Sequence, residues 1–266
     1  MLRTRTLVAI VLLPLFVLVV WLGGAVYLAV VTVLLGIGVW ELNRLMKAEG
    51  YAPSLAVSWL VLLVIVLSVA WPEVLGPGLA VAILLAMAVS LYHFHREDAT
   101  PLNSFALMLG IPLYLGWLGS HLLRLRALPA GEWWTLLVVP CTFAADTGAY
   151  FAGTWFGRHP LDPRVSPRKT WEGYIGGMVF GVLFGGLLAL LWGAKAPSML
   201  PWHGAAIGLM VAVVTPLGDL VVSSFKRQVG VKDTSRLIPG HGGAMDRLDT
   251  VLVAAVLGYY FILWFT

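Results

Sequence analysis

Residues 223–249 read SSFKRQVGVKDTSRLIPGHGGAMDRLD, and this polar stretch is flanked directly by two apolar runs, residues 202–222 and 250–265. It contains a His-Gly-Gly turn that is followed by two closely spaced acids. Its charged side chains are Lys226, Arg227, Lys232, Asp233, Arg236, Asp246, Arg247 and Asp249. A polar hairpin packed between two apolar spans predicts that the functional site lies here.

The composition of the whole chain is that of a membrane protein. Of its 266 residues, 60% are hydrophobic and only 11% are charged, and the mean hydropathy is +0.91. A soluble globular domain carries about 25% charged residues. The composition therefore predicts an all-α polytopic membrane protein.

The charge distribution and the cysteine content exclude two further properties for this membrane protein. The isoelectric point of about 9.3 is basic, but the basic residues sit in loops between spans, so nucleic-acid binding is not expected. The single cysteine, Cys141, rules out an intramolecular disulfide.

Arg3 and Arg5 precede the first apolar run as they would in a signal peptide. Because the run continues past Gly23-Gly24 without a convincing cleavage site, we expect it to be a membrane helix.

Apolar runs of about 20 residues, which suit a bilayer core of roughly 30 Å, predict nine membrane spans. The runs cover residues 7–40, 55–71, 79–92, 102–122, 133–151, 173–192, 202–222 and 250–265. The first run is too long for one span, and the Gly23-Gly24 break predicts two short helices. We expect a loop around Glu41 and Arg44, and larger polar loops at residues 153–172 and 223–249.

Three segments follow from this pattern. Residues 1–100 are expected to form about four N-terminal transmembrane helices, and residues 101–172 the middle helices and a polar loop. Residues 173–266 are expected to form the C-terminal catalytic helices.

The distribution of Lys and Arg predicts the orientation. With the N-terminus in the cytosol and alternating spans, 14 of the 17 Lys and Arg residues fall on the cytosolic side. Arg124, Arg126 and Lys195 fall outside. An integral protein of a bacterial inner membrane is expected, with the N-terminus and both large polar loops in the cytosol and the C-terminus outside.

A glycine stripe marks the seventh predicted span. Gly173, Gly177, Gly181 and Gly185 recur every fourth residue, and such a stripe lets another helix approach closely. We favour packing within one chain over a homodimer interface, which the sequence leaves open.

Four aspartates are candidates for the chemistry. Asp219 and Asp146 lie inside predicted spans, where a charged side chain costs roughly 2.5–3.5 kcal/mol to insert at the helix centre. Such residues usually face a polar cavity, although Asp146 could instead form a structural ion pair with an arginine. Asp246 and Asp249 are three residues apart, so they share one helix face. Their alternative role is to cap the last span, because acids are favoured in the first helical turn.

Carboxylates beside many cations suggest a phosphate site. Mg²⁺ is commonly held by one or two carboxylates together with substrate phosphate oxygens, and cations would neutralise the remaining charge. The candidate cations are Lys226, Arg227, Lys232, Arg236, Arg247, Arg168 and Lys169. Any one of them could simply be a positive-inside residue, but seven in two loops favour phosphate binding. We expect Lys226 and Arg236 to contact substrate without supporting the fold.

Glycines and a histidine complete the polar stretch. Gly240, Gly242 and Gly243 allow backbone amides to approach an anion. For His241, a phosphate contact and a loop-bracing hydrogen bond are equally compatible with the sequence. A Walker A motif, a zinc-type Cys/His spacing and a Gly-x-Ser-x-Gly elbow are absent from the sequence. The residues alone predict a membrane enzyme that uses Mg²⁺ and acts on a phosphorylated substrate.

The run S-x-F-K-R-x4-K-D-x-S-x-x-I-P-x-H-G-G-x-x-D-R-L-D, residues 223–249, closely resembles the pattern of the phosphatidate cytidylyltransferases, or CDP-diacylglycerol synthases. The SPRKTWEG stretch at residues 166–173 and DTGAY at residues 146–150 are also similar to this family. One departure is Ala244, where the family prefers a larger apolar residue.

The resemblance implies that CTP and phosphatidate react to give CDP-diacylglycerol and pyrophosphate. It implies catalytic roles for Asp219, Lys226, Arg227, Lys232, Asp233, His241, Asp246 and Arg247. It implies substrate binding by Asp146, Ser166, Arg168, Lys169, Ser223, Arg236, Gly242 and Gly243. Asp219, Asp246 and Asp249 would hold Mg²⁺, and a second cation is left open.

Two other functions stay open at this stage. A CTP-dependent lipid kinase of the dolichol kinase type would release CDP instead of pyrophosphate. An ion-coupled transporter would use Asp146 and Asp219 to carry cations, but it predicts polar groups towards both faces, whereas these cluster on one.

Overall fold

The structure is a computed structural model that describes residues 2–95, 100–235, 237 and 242–266. Within these ranges the chain forms nine α-helices, a short 3₁₀ helix at Pro72–Val74 and one two-stranded sheet. The helices are α1 Leu2–Leu22, α2 Gly24–Ala48, α3 Leu55–Leu67, α4 Leu75–His95, α5 Pro101–Ala127, α6 Gly131–Phe156, α7 Trp171–Trp192, α8 Pro201–Gln228 and α9 Met245–Phe265. The strands are β1 Pro160–Asp162 and β2 Ser166–Thr170.

Seven of these helical segments are long and apolar enough to cross a membrane, which confirms the predicted all-α polytopic membrane fold. They are α2, α4 with its preceding 3₁₀ turn, α5, α6, α7, α8 and α9. The other two are shorter apolar stretches, Ile10–Leu22 in α1 and the 13-residue α3. At 1.5 Å per residue, α3 is about 20 Å long, less than a bilayer core of roughly 30 Å.

Contacts between helix ends show how the short helices sit in the bundle. The guanidinium of Arg126, at the end of α5, donates to the carbonyl of Val20 at the end of α1 (2.7 Å) and pairs with Glu132 at the start of α6 (3.3 Å). At the start of α3 and α5, the Ala52 amide donates to the Ser104 hydroxyl (2.9 Å). The ends of α1 and α5 therefore lie beside the start of α6, and α3 and α5 begin beside each other, as an alternating bundle requires.

Several helices extend beyond the predicted apolar spans. α2 continues through the predicted loop at Glu41 to Ala48, α8 continues to Gln228, and α9 begins at Met245. Lys, Arg and Glu are good helix formers, so the helices continue past the end of the apolar runs. As a result Glu41 and Lys226 lie on helices and not in loops, which corrects the prediction for both.

The predicted polar loop at residues 153–172 is mainly a β-hairpin. β1 and β2 pair antiparallel, with Pro160 opposite Thr170 and Asp162 opposite Ser166. The Asp162 carboxylate closes the turn by accepting from the amides of Arg164 and Val165, both at 3.0 Å. This small sheet is an addition to the predicted all-α architecture.

The glycine stripe packs inside the chain. A side chain on Gly173 or Gly177 would meet the backbone of α6, and one on Gly181 or Gly185 would meet the backbone of α8. All four glycines are buried, so the favoured prediction of packing within one chain holds. The stripe brings α6, α7 and α8 together, and α6 and α8 carry two of the candidate aspartates.

Candidate active site

A polar pocket of about 210 Å³ lies at the end of the bundle where α6 and α8 finish and α9 begins. Five acidic and two basic side chains share it with one aromatic residue and one threonine. The lining residues are Phe143, Asp146, Asp219, Lys226, Asp233, Asp246, Arg247, Asp249 and Thr250. The structure therefore brings together seven of the charged residues that the sequence predicts for the site.

The β-hairpin supplies a cation to Asp219. Lys169, near the end of β2, forms a salt bridge with Oδ2 of Asp219 on α8, and each side chain is 31% exposed. Ser223, one helical turn further along α8, donates its hydroxyl to Oδ1 of Asp219 (3.1 Å). The two polar segments predicted around residues 166–173 and 223–249 therefore meet at this carboxylate.

The hairpin is itself fixed to the start of α7. Glu172 accepts hydrogen bonds from the backbone amides of Arg158 (3.1 Å) and His159 (3.3 Å) and contacts the ring nitrogen Nδ1 of His159 at 2.6 Å. Thr170 caps α7 by accepting from the Gly173 amide (3.1 Å). These local contacts hold the strand that carries Lys169.

A second ion pair closes the inner side of the pocket. The ammonium group of Lys226, near the end of α8, lies 2.7 Å from Oδ1 of Asp246 in the first turn of α9. Their side chains are only 11% and 6% exposed. Oδ2 of Asp246 accepts from the amides of Thr234 (3.0 Å) and Gly243 (2.9 Å) and lies 3.0 Å from the Thr234 hydroxyl.

These contacts change the interpretation of two predicted residues. Lys226 was expected in a loop where folding would not depend on it, but its ammonium group is buried in an ion pair. Asp246 was expected either to hold a metal or to cap α9. It accepts from the amide of Gly243, two residues before α9 begins, and also braces the polar segment through Thr234.

Asp249 and Asp146 complete the acidic lining. Asp249, one turn after Asp246, is 4% exposed, and its Oδ1 accepts from the Thr250 amide at 2.8 Å. Asp146 is accessible on α6. The charge of Asp219 acts on both of them, and Lys169 and Arg247 act on Asp146. The aspartates therefore form one electrostatic group in which a cation would relieve repulsion.

Other predicted residues lie outside the pocket lining. Lys232 and Arg168 are exposed, and Ser166 opens β2. Arg227 is also exposed and donates weakly to the carbonyls of Val165 (3.5 Å) and Val231 (3.4 Å), which ties the β-hairpin to the chain after α8. Arg236, His241 and Gly240 lie outside the residues that the structure describes.

The two described glycines of the turn have different surroundings from those predicted. Gly242 adopts φ 82°, a conformation that favours glycine, and a side chain there would meet Asp246. The amide of Gly243 does approach an anion, but the anion is the protein's own Asp246 carboxylate.

Sequence reasoning missed Glu41, Thr234 and Ser235. Glu41 on α2 is completely buried and accepts from the hydroxyls of Thr234 (2.9 Å) and Ser235 (2.5 Å). The sequence does contain a pattern that could have identified Glu41. Apolar residues continue at helical spacing on both sides of it, from Val39 to Met46. That spacing indicates a helix, and a lone acid on its buried face indicates a specific partner.

The donor set fits a hard divalent cation in an open site. Across the described ranges, groups of three or more Asp, Glu, His or Cys side chains that could hold a metal ion are absent. Mg²⁺ does not require such a cage, since it is usually bound by one or two carboxylates plus substrate phosphates. The Asp219 and Asp249 carboxylates lie in one pocket and offer this chemistry.

Comparisons with known proteins find similarity to one family over nearly the whole chain. The model of the "Cytidylyltransferase family" matches residues 3–265. A Pseudomonas aeruginosa protein named phosphatidate cytidylyltransferase is 34% identical over 99% of this chain and 97% of its own length. A Synechocystis protein of the same name is 34% identical over 91% and 89%. A Mycobacterium bovis protein of that name is 43% identical over 48% of this chain, and the match spans 41% of its length.

Proposed function

The chain belongs to the cytidylyltransferase family, and from that premise we propose that it transfers a cytidylyl group from CTP to phosphatidate. The products are CDP-diacylglycerol and pyrophosphate, and the reaction serves phospholipid synthesis. The observation that carries the proposal is the charged pocket in an apolar bundle, in a chain that is similar over nearly its full length to relatives named for this reaction.

The proposed reaction needs no nucleophile from the protein. An oxygen of the phosphatidate phosphate forms a bond to the α-phosphorus of CTP, and the bond from that phosphorus to the oxygen bridging to the β-phosphate breaks. Catalysis can then rest on positioning the two substrates and on neutralising charge. Lys169 and Arg247 are suited to face phosphate oxygens, because Lys169 is partly exposed beside Asp219 and Arg247 lines the pocket.

The carboxylates are proposed to hold Mg²⁺. A magnesium ion, when bound, would draw negative charge away from the triphosphate. Asp219 and Asp249 are the proposed principal ligands, with Asp246 close by. Because Asp219 pairs with Lys169, Lys169 would have to turn from this carboxylate towards the phosphates for Asp219 to act as a cation ligand.

The pocket is proposed to face the cytosol, where CTP is available. Support comes from the 14 of 17 basic residues that an N-terminus in the cytosol places on that side. The helix ends are in keeping with this proposal, because α9 begins at the pocket and Lys169, just before α7, pairs with Asp219 in its lining. Phosphatidate would reach the pocket from the cytosolic leaflet.

The two other functions are less well supported. A lipid kinase of the dolichol type would share nucleotide and cation, but the matched relatives are named as cytidylyltransferases. A transporter is not favoured either, because the described acidic and basic pocket residues lie together towards one end of the bundle.

Purified protein incubated with Mg²⁺, phosphatidate and CTP labelled on the α-phosphate tests the proposal. We expect the label to appear in a lipid and unlabelled pyrophosphate to be released in equal amount. The Asp219→Asn protein serves as the inactive control. Label that remains in soluble CDP, with phosphate transferred to the lipid, would assign the kinase reaction instead.

A further inference from the structure

The buried carboxylate of Glu41 is hydrogen-bonded by residues that are distant from it in the sequence. Glu41 lies on α2, is 0% exposed, and contacts residues 193 to 204 positions further along the chain. Its Oε1 accepts from the Ser235 hydroxyl (2.5 Å) and the Ala244 amide (2.9 Å). Its Oε2 accepts from the Thr234 hydroxyl (2.9 Å) and the Met245 amide (2.8 Å).

This carboxylate takes the place of a local helix cap. The N-cap of α9 is Ala244, whose side chain cannot accept a hydrogen bond. The free amides of Ala244 and Met245 are instead satisfied by an anion that belongs to another helix. The N-terminus of a helix favours a negative charge. The four donors offset the cost of burying the Glu41 carboxylate.

Small residues make room for the contact. A side chain on Gly243 would collide with the Glu41 carboxylate and with the Thr234 hydroxyl. Ala244 is 3% exposed at the same place. The requirement for glycine at residue 243 therefore comes in part from an acid of the N-terminal half of the chain.

Thr234 connects Glu41 to the pocket. Its hydroxyl lies 2.9 Å from Glu41 and 3.0 Å from Asp246, and its amide donates to Asp246. Asp246 in turn binds Lys226, and both line the pocket. A change at Glu41 therefore reaches the charged pocket through Thr234 and through the first turn of α9, without any contact between Glu41 and substrate.

We propose that Glu41 is a positioning residue that fixes Thr234, Ser235 and residues 244–245 against α2 and thereby sets the geometry of Asp246 and Lys226 in the pocket. The catalytic part of this inference rests on the proposed function, whereas the structural part does not. The N-terminal helices then contribute to the site as well as to the membrane scaffold.

The test compares Glu41→Gln with Glu49→Gln, an exposed acid at the end of the same helix. Glutamine keeps the shape of Glu41 but loses the charge, and its NH₂ group must face a donor. We expect kcat for CDP-diacylglycerol formation to fall about 10- to 100-fold, as when other outer-shell partners are lost. We expect the KM for CTP to change much less, and Glu49→Gln to match the unmodified protein.

Hydrogen exchange provides the readout that does not depend on activity. In Glu41→Gln, the amides of Thr234, Ala244 and Met245 should exchange at least about tenfold faster, while those in the centre of α9 stay protected. If Glu41→Gln does not fold, Thr234→Val removes only the shared hydroxyl and should give the same pattern at smaller amplitude.

The outcomes separate the two proposals. If the unmodified protein makes no CDP-diacylglycerol, the proposed function fails, and the exchange experiment still decides the role of Glu41. If kcat and exchange in Glu41→Gln equal those of Glu49→Gln, Glu41 is not a positioning residue.

Discussion

Lys226 and Asp246 form a buried ion pair that joins the last turn of α8 to the first turn of α9, with 2.7 Å between Nζ and Oδ1. A comparable pair, Lys169 and Asp219, lies nearer the surface of the same pocket. Burial is what separates the two, since the charges of the first pair have little access to water. Their substitution should therefore have different consequences.

Lys226→Met should destabilise the protein by about 3–5 kcal/mol, because it leaves the Asp246 carboxylate buried without its cation. Lys169→Met should cost no more than about 1 kcal/mol, because its pair is partly exposed. Unfolding by denaturant in detergent micelles measures both. Equal, small losses would show that the pair at Lys226 does not support the junction between α8 and α9.

Asp219→Asn should abolish turnover while leaving stability and the exchange of residues 234–245 unchanged. Its carboxylate pairs with the partly exposed Lys169 and accepts from the Ser223 hydroxyl, and neither contact joins buried elements as the Lys226–Asp246 pair does. kcat over a Mg²⁺ titration, together with a melting curve, checks this. Activity near that of the unmodified protein would remove Asp219 from the proposed cation site.

Asp246→Asn should lose both turnover and stability, which distinguishes it from Asp219→Asn. An asparagine NH₂ group must face either Lys226 or the Gly243 amide, and both are donors. If Asp246 also contributes to the cation that Asp219 and Asp249 are proposed to hold, the Asp219→Asn/Asp246→Asn double variant should be no worse in kcat than the poorer single one. Multiplicative losses in kcat would exclude a shared cation, and a fully stable, active Asp246→Asn would contradict both roles.

Single cysteines introduced at Arg164 and Lys195 in a Cys141→Ala background test the orientation. Arg164 lies in the β-hairpin turn near the pocket end, and Lys195 follows α7 at the other end. In intact cells, a membrane-impermeant thiol reagent should label the cysteine at residue 195 only. Labelling at residue 164 from outside would reverse the proposed topology and place the pocket away from CTP.

Gly185→Val should disrupt the packing of α7 on α8, because the new side chain would collide with the Gly204 carbonyl. We expect a loss of more than about 3 kcal/mol, since backbone atoms cannot move aside as side chains do. Gly110→Val is the matched control, because a side chain at residue 110 meets nothing within 4 Å. Similar melting temperatures for the two variants would contradict the close helix approach.

Much of the fold follows from local properties that the sequence displays. The apolar runs and their glycine and proline breaks located all nine described helices, although most helices extend further than the runs. Hydropathy reports where the chain enters the bilayer and not where its helix ends, so α2 and α8 continue into charged segments. The β-hairpin was missed because three- and five-residue strands of polar residues carry no clear alternation.

The candidate site, like the fold, was predicted only in part from the sequence. The sequence by itself determined the membrane class, the family resemblance and the aspartates and lysines of the pocket, because motif and composition are read along the chain. Only the tertiary structure decided which charges pair, since Lys169 with Asp219 and Lys226 with Asp246 are joined across 50 and 20 residues. The tertiary structure also brings Glu41 to the site, because its buried carboxylate is stabilised by backbone and hydroxyl donors that are distant in sequence.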